Sequence, residues 1–376
     1  MYFQCNKLSA LNTDLLYQLA LTQVPQIGCV QAKLLAEDFE TAESIFKAKK
    51  SILEKIEGIG EVRATSIKKF TAFQEQEDEI RFIEKYKITP LFIKDEAYPK
   101  RLLNCYDPPT LLFYRGTADL NCSKIIAIIG TRSNTEYGKQ MVEQIINDLS
   151  PLTPLVVSGL AYGVDAIAHK QSVKHNLPTV GVLAHGLDKI YPQAHASLAK
   201  EMIAGGGGLL TEFRKETKPD KHNFPTRNRV VAGMCDATIV IETGVKGGSM
   251  ITAHLANSYN RDVFAIPGKT TDTKSEGCNY LIQNNKAVLI KNGIDIIEQM
   301  GWEQQTKKTT RQKQLFVELN DDEKTVYELL TTHGPMSIDD ITINSRLSSS
   351  AVASALLTME LNGVVLNMPG KIYSLT

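Results

Sequence analysis

The segment from Lys221 to Arg229 gathers three cations, Lys221, Arg227 and Arg229, around Phe224 and Asn228, then runs straight into the apolar Val230-Val231-Ala232. Like charges repel, so such a cluster is either a solvated helix end or an anion site. Phe224 adds a second chemistry. Cations that hold phosphate oxygens beside an exposed aromatic that stacks on a base are the means by which proteins grip single-stranded nucleic acid. If Phe224 is buried, that option lapses. Pro225 suits a helix start and Thr226 a cap. Arg227 and Arg229, two positions apart, then point to different sides, so one can bind ligand while the other braces the fold.

Three other segments carry anion-binding chemistry. Gly130-Thr131-Arg132 follows an apolar run where a dinucleotide fold would place G-x-G-x-x-G, but the chain reads G-T-R-S-N-T. Arg132 offers a charged fork in place of bare amides. In "SGLAYGVDAIAH" (158–169), Ser158 and Gly159 lead into a turn and then a helix, whose first amides attract anions. Asp165 and His169, four apart, share a face of that helix. We expect a salt bridge or core hydrogen bonds from them rather than acid–base catalysis. Position 156 is Val, so Ser158 lacks the G-x-S-x-G elbow of a hydrolase nucleophile. In "ETGVKGGSM" (242–250), Lys246, Gly247, Gly248 and Ser249 open a helix with little bulk, a pattern suited to a phosphate nest. The P-loop spacing is absent. No catalytic residue and no metal ligand set is assigned.

The elements that position these residues follow from hydrophobic pattern. Apolar runs at 124–129, 154–158, 179–184, 207–212, 237–242, 262–267 and 287–290 alternate with helical segments. That alternation predicts βαβ units and an extended Rossmann-like, doubly wound, mainly parallel sheet over 121–302. Such sheets bind ligands at the carboxyl ends of their strands, where all four segments should meet. Residues 1–85 read as a helical domain of helix-hairpin-helix or SAM-like type, with turns at Gly28 and at Gly58 and Gly60. Residues 86–120, rich in Pro, read as an irregular connector laid on the central domain. A polar linker occupies 303–317. From 318 to 376 a capping box at Asn320 and Glu323 opens three helices, followed by two strands around Pro369 and Gly370, the order of a winged helix.

The chain has 376 residues, 43% of them hydrophobic, which is enough for several domains with cores. Charge is balanced overall, 42 basic against 42 acidic, but not locally. The window 214–229 holds six basic and two acidic residues, and 321–376 holds three against seven. A basic patch of this kind steers a polyanion even on a neutral chain. The predicted last helix of the tail, Ser348 to Leu361, contains no Lys or Arg, which disfavours reading of duplex DNA. Leu356, Leu357 and Met359 are its core candidates. The six cysteines, Cys5 among them, are scattered without a C-x-x-C pair, and no run reaches the roughly 18 to 20 apolar residues of a membrane span. Reduced cysteines and a cytoplasmic location are the expectation, with no cofactor.

The ordered set "IIAIIGTR", "SGLAYGVDAIAH", "GLDKIYP", "FPTRNRVVAG", "GGSMITAHLA", "VFAIPG" and "GCNYLI" resembles the DNA-processing protein A family, also called DprA or Smf. The resemblance spans nearly the whole chain. It implies a dimeric, non-enzymatic protein that binds and protects single-stranded DNA and helps to load RecA in natural transformation. It implies a DNA pocket built from Gly130 and Arg132, from Lys221 and Phe224, and from Arg227, Asn228 and Arg229. Where many members carry an arginine, this chain has Tyr162, an aromatic face in place of a charge. The alternative is a nucleotide-processing enzyme resembling the phosphoribohydrolases, with Glu212 or Glu242 as the acid. Their P-G-G-x-G-T-x-x-E run is absent.

Overall fold

The computed structural model describes residues 10–302, 319–368 and 372–375. Cys5, the linker expected over 303–317, and Pro369 and Gly370 lie outside them. The chain divides into two compact units, Met1–Glu303 and Gln304–Thr376.

The first unit begins with helices α1 (Ala10–Leu21), α2 (Cys29–Asp38), α3 (Ala42–Lys47), α4 (Lys50–Leu53), α5 (Gly60–Lys69) and α6 (Phe73–Lys85). Positive φ at Gly58 and Gly60 forms the turn before α5. Strands β1 (Thr89–Phe92) and β2 (Leu111–Gly116) follow, flanking the short α7 (Lys100–Leu103). Then come β3 (Ile125–Gly130), α8 (Glu136–Leu149), β4 (Leu155–Ser158), α9 (Val164–Lys174), β5 (Thr179–Val182), α10 (Ala196–Ala204) and β6 (Gly208–Thr211). The unit continues with α11 (Asn223–Gly233), β7 (Ala237–Ile241), α12 (Gly248–Ser258), β8 (Asp262–Ala265), α13 (Glu276–Gln283), β9 (Val288–Leu289) and α14 (Gly293–Gln299).

These strands form one nine-stranded sheet in the order β1-β2-β6-β5-β4-β3-β7-β8-β9. Pairing is parallel from β6 to β9 and antiparallel for β1–β2 and β2–β6. Side chains alternate across the sheet. Ile125, Ala127 and Ile129 enter the core beneath α11 and α12, while Ile126 and Ile128 enter the core beneath α8 and α9. Both faces being covered explains why β3 is apolar at every position. Truncating Ile128 to Ala would cost about 2–5 kcal/mol.

The segment expected to be an irregular connector contributes two strands instead. Leu111–Tyr114 is fully buried, and β2 adds antiparallel to the end of the parallel sheet. The prolines misled because they sit where strands tolerate them. Pro108 and Pro109 precede β2, and Pro90 lies on the outermost strand. Tyr98 locks the loop, its buried hydroxyl donating to the Pro109 carbonyl at 2.6 Å.

The second unit contains α15 (Asp321–His333), β10 (Met336–Ser337), α16 (Ile338–Ser345), α17 (Ser349–Leu361), β11 (Val365–Met368) and β12 (Ile372–Leu375), with sheet order β10-β12-β11. This is the winged-helix arrangement. Asn320 caps α15 with Glu323 in a reciprocal box. Leu356 and Met359 are buried in its own core, but Leu357 is 59% exposed, because it falls on the outer face of α17.

Candidate nucleic-acid interface

Strand order reverses at β3. Its chain successor β4 lies on one side and β7 on the other, and Gly130 at the end of β3 pairs with Ile241 at the end of β7. That reversal opens a crevice beyond the carboxyl ends of the strands. A groove of about 620 Å³ occupies it. Its walls bring together the three strand-end turns and α11: Gly130, Thr131 and Arg132; Gly159; Lys221, Phe224, Arg227 and Asn228; Gly247, Gly248 and Ser249.

Two cations face it freely. Arg132 and Lys221 are exposed and form no ion pair among the described residues. The Arg132 guanidinium lies 5.0 Å from the centre of the half-buried Phe224 ring, a cation–π contact that holds both side chains over the groove. Helix α12 begins at Gly248 with no side-chain cap, and a Cβ there would meet nothing within 4 Å. Its first turn is open to an anion.

Arg227 is built differently. It is 5% exposed, and its guanidinium donates to the Gly159 carbonyl at 2.6 Å and to the Val182 carbonyl. Burial presses its pKa down to about 10, so it stays charged at neutral pH. A Cβ on residue 159 would lie 2.2 Å from Arg227 Nη1, so only glycine admits this contact. Gly163 has φ +77°, and a Cβ there would stand 2.2 Å from the Thr131 carbonyl oxygen, which packs the second turn against the first. Asp165 accepts from the Gly159 and Ala161 amides at 3.0 and 3.4 Å. Burial raises its pKa, opposed by Arg227. His169 pairs instead with Thr179 Oγ1 at 2.7 Å. The two form core hydrogen bonds but no salt bridge with each other. Asn228 accepts from Arg227 Nε and donates to the Gly248 carbonyl at 3.2 and 3.5 Å, tying α11 to the start of α12.

Several candidate residues lie elsewhere. Arg229 turns away from the groove and pairs with Glu212, donating also to the Asp107 carbonyl, because two residues along a helix is a rotation of about 200°. Ser158 is fully buried with its hydroxyl donating to the Ile128 carbonyl at 2.7 Å. Ser249 does line the groove, but its hydroxyl is engaged, donating to Thr243 Oγ1 at 2.7 Å. Lys246 is exposed on the turn before α12 but does not line the groove. Helix α11 starts at Asn223 rather than after Pro225, and the Thr226 hydroxyl donates back to the His222 carbonyl instead of capping. Both acids of the enzyme alternative serve the fold: Glu212 holds Arg229, and Glu242 accepts from the Thr135 amide at 2.8 Å.

Residues 89–301, more than half of the sequence, match the family model for DNA recombination-mediator protein A. The chain belongs to this family. Residues 312–371 match the DprA winged helix domain and 15–80 a helix-hairpin-helix motif. The sequence is 33% identical to protein Smf of Synechocystis, over 96% of this chain and 99% of that one, and 40% identical to the DNA processing protein DprA of Bacillus subtilis, over 57% and 71%. The crystal structure of DprA from Streptococcus pneumoniae superposes with a TM-score of 0.65 at 31% identity, covering 75% of this chain and 97% of that one. DNA processing protein A from Helicobacter pylori, whose structure describes a single-stranded DNA binding mode, gives 0.52 at 32% identity, covering 57% and 96%. The groove also takes Ala161, Asp165, Thr243 and Gly244, which sequence reasoning about this family's pocket did not select. Ala161, Thr243 and Gly244 carry no sequence signal beyond following strand ends, and Asp165 stood out only as a helix-face partner of His169.

Proposed function

We propose that the chain binds single-stranded DNA in this groove and, as a homodimer without catalysis, shields incoming strands and helps to load RecA in natural transformation. The observation that carries the binding role is the convergence of Arg132, Lys221 and the Phe224 ring on one groove at the point of strand reversal. Arg132 and Lys221 would hold phosphates, with the amides at Gly248 beside them, and Phe224 would stack on a base. Arg227 would lend positive potential from beneath rather than a direct contact. RecA loading and dimerisation rest on family membership.

The test is fluorescence anisotropy with a labelled oligonucleotide across a salt series. The logarithm of affinity should fall against the logarithm of salt with slope about −0.7 per phosphate contact. Arg132→Ala and Lys221→Ala should each weaken binding and flatten that slope by about 0.7. Unchanged slopes in both variants would refute the assignment. For the later step, RecA assembly on a coated single strand should accelerate when the protein is added.

A further inference from the structure

We propose that Tyr162 and Tyr191 form a second stacking surface, which extends the single-strand track beyond the groove and receives bases adjoining the one on Phe224. The inference rests on the binding role just given. Both tyrosines are about half exposed, at 49% and 47%, and neither lines the groove itself. They are nonetheless joined to it by a closed chain of contacts. The Tyr191 ring lies 6.4 Å from Phe224 and the Tyr162 ring 5.0 Å from His195. Tyr191 and His195 are the two ends of one short turn, closed by the His195 amide donating to the Pro192 carbonyl at 3.0 Å. His195 Nδ1 pins that turn to the Leu160 carbonyl at 2.9 Å, two residues before Tyr162. Tyr162 in turn precedes Gly163, which packs against Thr131 and Arg132, and Arg132 covers Phe224.

The circuit thus links the two exposed tyrosine rings to the half-buried Phe224 and the Arg132 guanidinium, with the buried His195 as the joint between them. None of its members is a carboxylate. The backbone beneath is fixed at both tyrosines, since the Tyr191 amide also donates to His185 Nε2 at 3.2 Å. Exposed rings on a fixed backbone beside a phosphate-binding cation suit successive bases of one strand, because every base presents a flat π face. A duplex, whose bases are already stacked, has nothing to offer them.

The experiment uses the full chain, labelled oligothymidylates and matched oligonucleotides bearing abasic sites. Tyr162→Ala and Tyr191→Ala should each weaken binding of a long oligothymidylate by about tenfold, within the range for one lost stack. Their salt slope should stay that of the parent protein, unlike the slope of Lys221→Ala. Tyr162→Phe and Tyr191→Phe should bind normally. Abasic sites should weaken the parent protein more than the double alanine variant, which keeps only the stack on Phe224. If the alanine variants bind as tightly as the parent while Lys221→Ala flattens the slope, the second surface is refuted and the groove stands. If the phenylalanine variants are as weak as the alanine ones, the hydroxyls and not the ring faces matter, and stacking is refuted. If the parent protein binds no oligonucleotide, the groove assignment fails and the second surface with it.

Discussion

Arg227 and Arg229 show how neighbouring residues of one type divide between ligand and scaffold. Arg227 lines the groove from a buried position with its charge answered by carbonyl dipoles. Arg229 is committed to Glu212, which is itself partly buried. Arg229→Ala leaves that carboxylate without its cation, so it should destabilise the fold by about 3–5 kcal/mol in urea titration while leaving the salt slope of DNA binding unchanged. Arg132→Ala should do the reverse. A second residue-scale prediction concerns pH. Burial, with His195 and Arg227 nearby, pushes His169 from 6.5 down to about 3. The folded protein therefore keeps it neutral while the unfolded chain protonates it below about pH 6.5. Its contribution to stability is complete above that pH and is lost as pH falls toward 3, with a slope approaching about 1.4 kcal/mol per pH unit. His169→Gln should flatten the decline between pH 7 and pH 5 in denaturation midpoints; an identical decline would refute the assignment. The sequence showed that the two arginines diverge, because helical geometry requires it. It could not show which one meets a carboxylate, since Asp107 reaches α11 from a distant part of the chain and Glu212 from the end of β6, across a loop whose path the sequence does not fix.

The elements around the groove were legible in proportion to how local their causes are. The buried parallel strands announced themselves as continuous apolar runs, and the turns at Gly130, Gly159 and Gly248 followed from where those runs end. The two antiparallel strands β1 and β2 did not, because β6, which joins β2 to the sheet, lies far along the chain and the prolines in and before these strands suggested a loop. The same long-range character marks a latch between α6 and the segment that leads to Lys221. Glu79 on α6 is 2% exposed, and its Oε1 accepts from the Lys215 amide at 3.0 Å. Arg214 donates to the Glu75 carbonyl at 3.0 Å and lies 3.4 Å from Glu79 Oε2, an ionic contact without hydrogen-bond alignment. On its other side the segment is held by Asp188, which accepts from the Glu216 amide at 2.9 Å. Glu79→Ala should therefore cost about 3 kcal/mol of stability. It should also weaken oligonucleotide binding severalfold without altering the salt slope, since Lys221 keeps its charge but loses its fixed approach.

At the scale of the molecule, the groove and the acidic tail belong to units with separate cores. The first unit holds every residue we assign to DNA. The second presents a helix, α17, with no basic residue and with Leu357 and Leu361 59% and 80% exposed. A helix that reads duplex DNA needs side chains that donate to base edges and cations that meet phosphates, and a net negative surface is repelled by both strands. A protein ending at Trp302 retains the complete cores of the first unit and should fold. It should bind single strands within about a factor of five of the full chain, or about 1 kcal/mol, with the same salt slope, and should still prefer single strands to duplex. A tail that contacted phosphates would instead make the truncated protein's slope shallower by about 0.7 for each contact removed. Equal slopes together with a lost capacity to stimulate RecA would assign the segment after Trp302 to a protein partner, the role that the lack of positive charge on α17 favours, and Leu357→Ser with Leu361→Ser in the full chain would then test its exposed leucines.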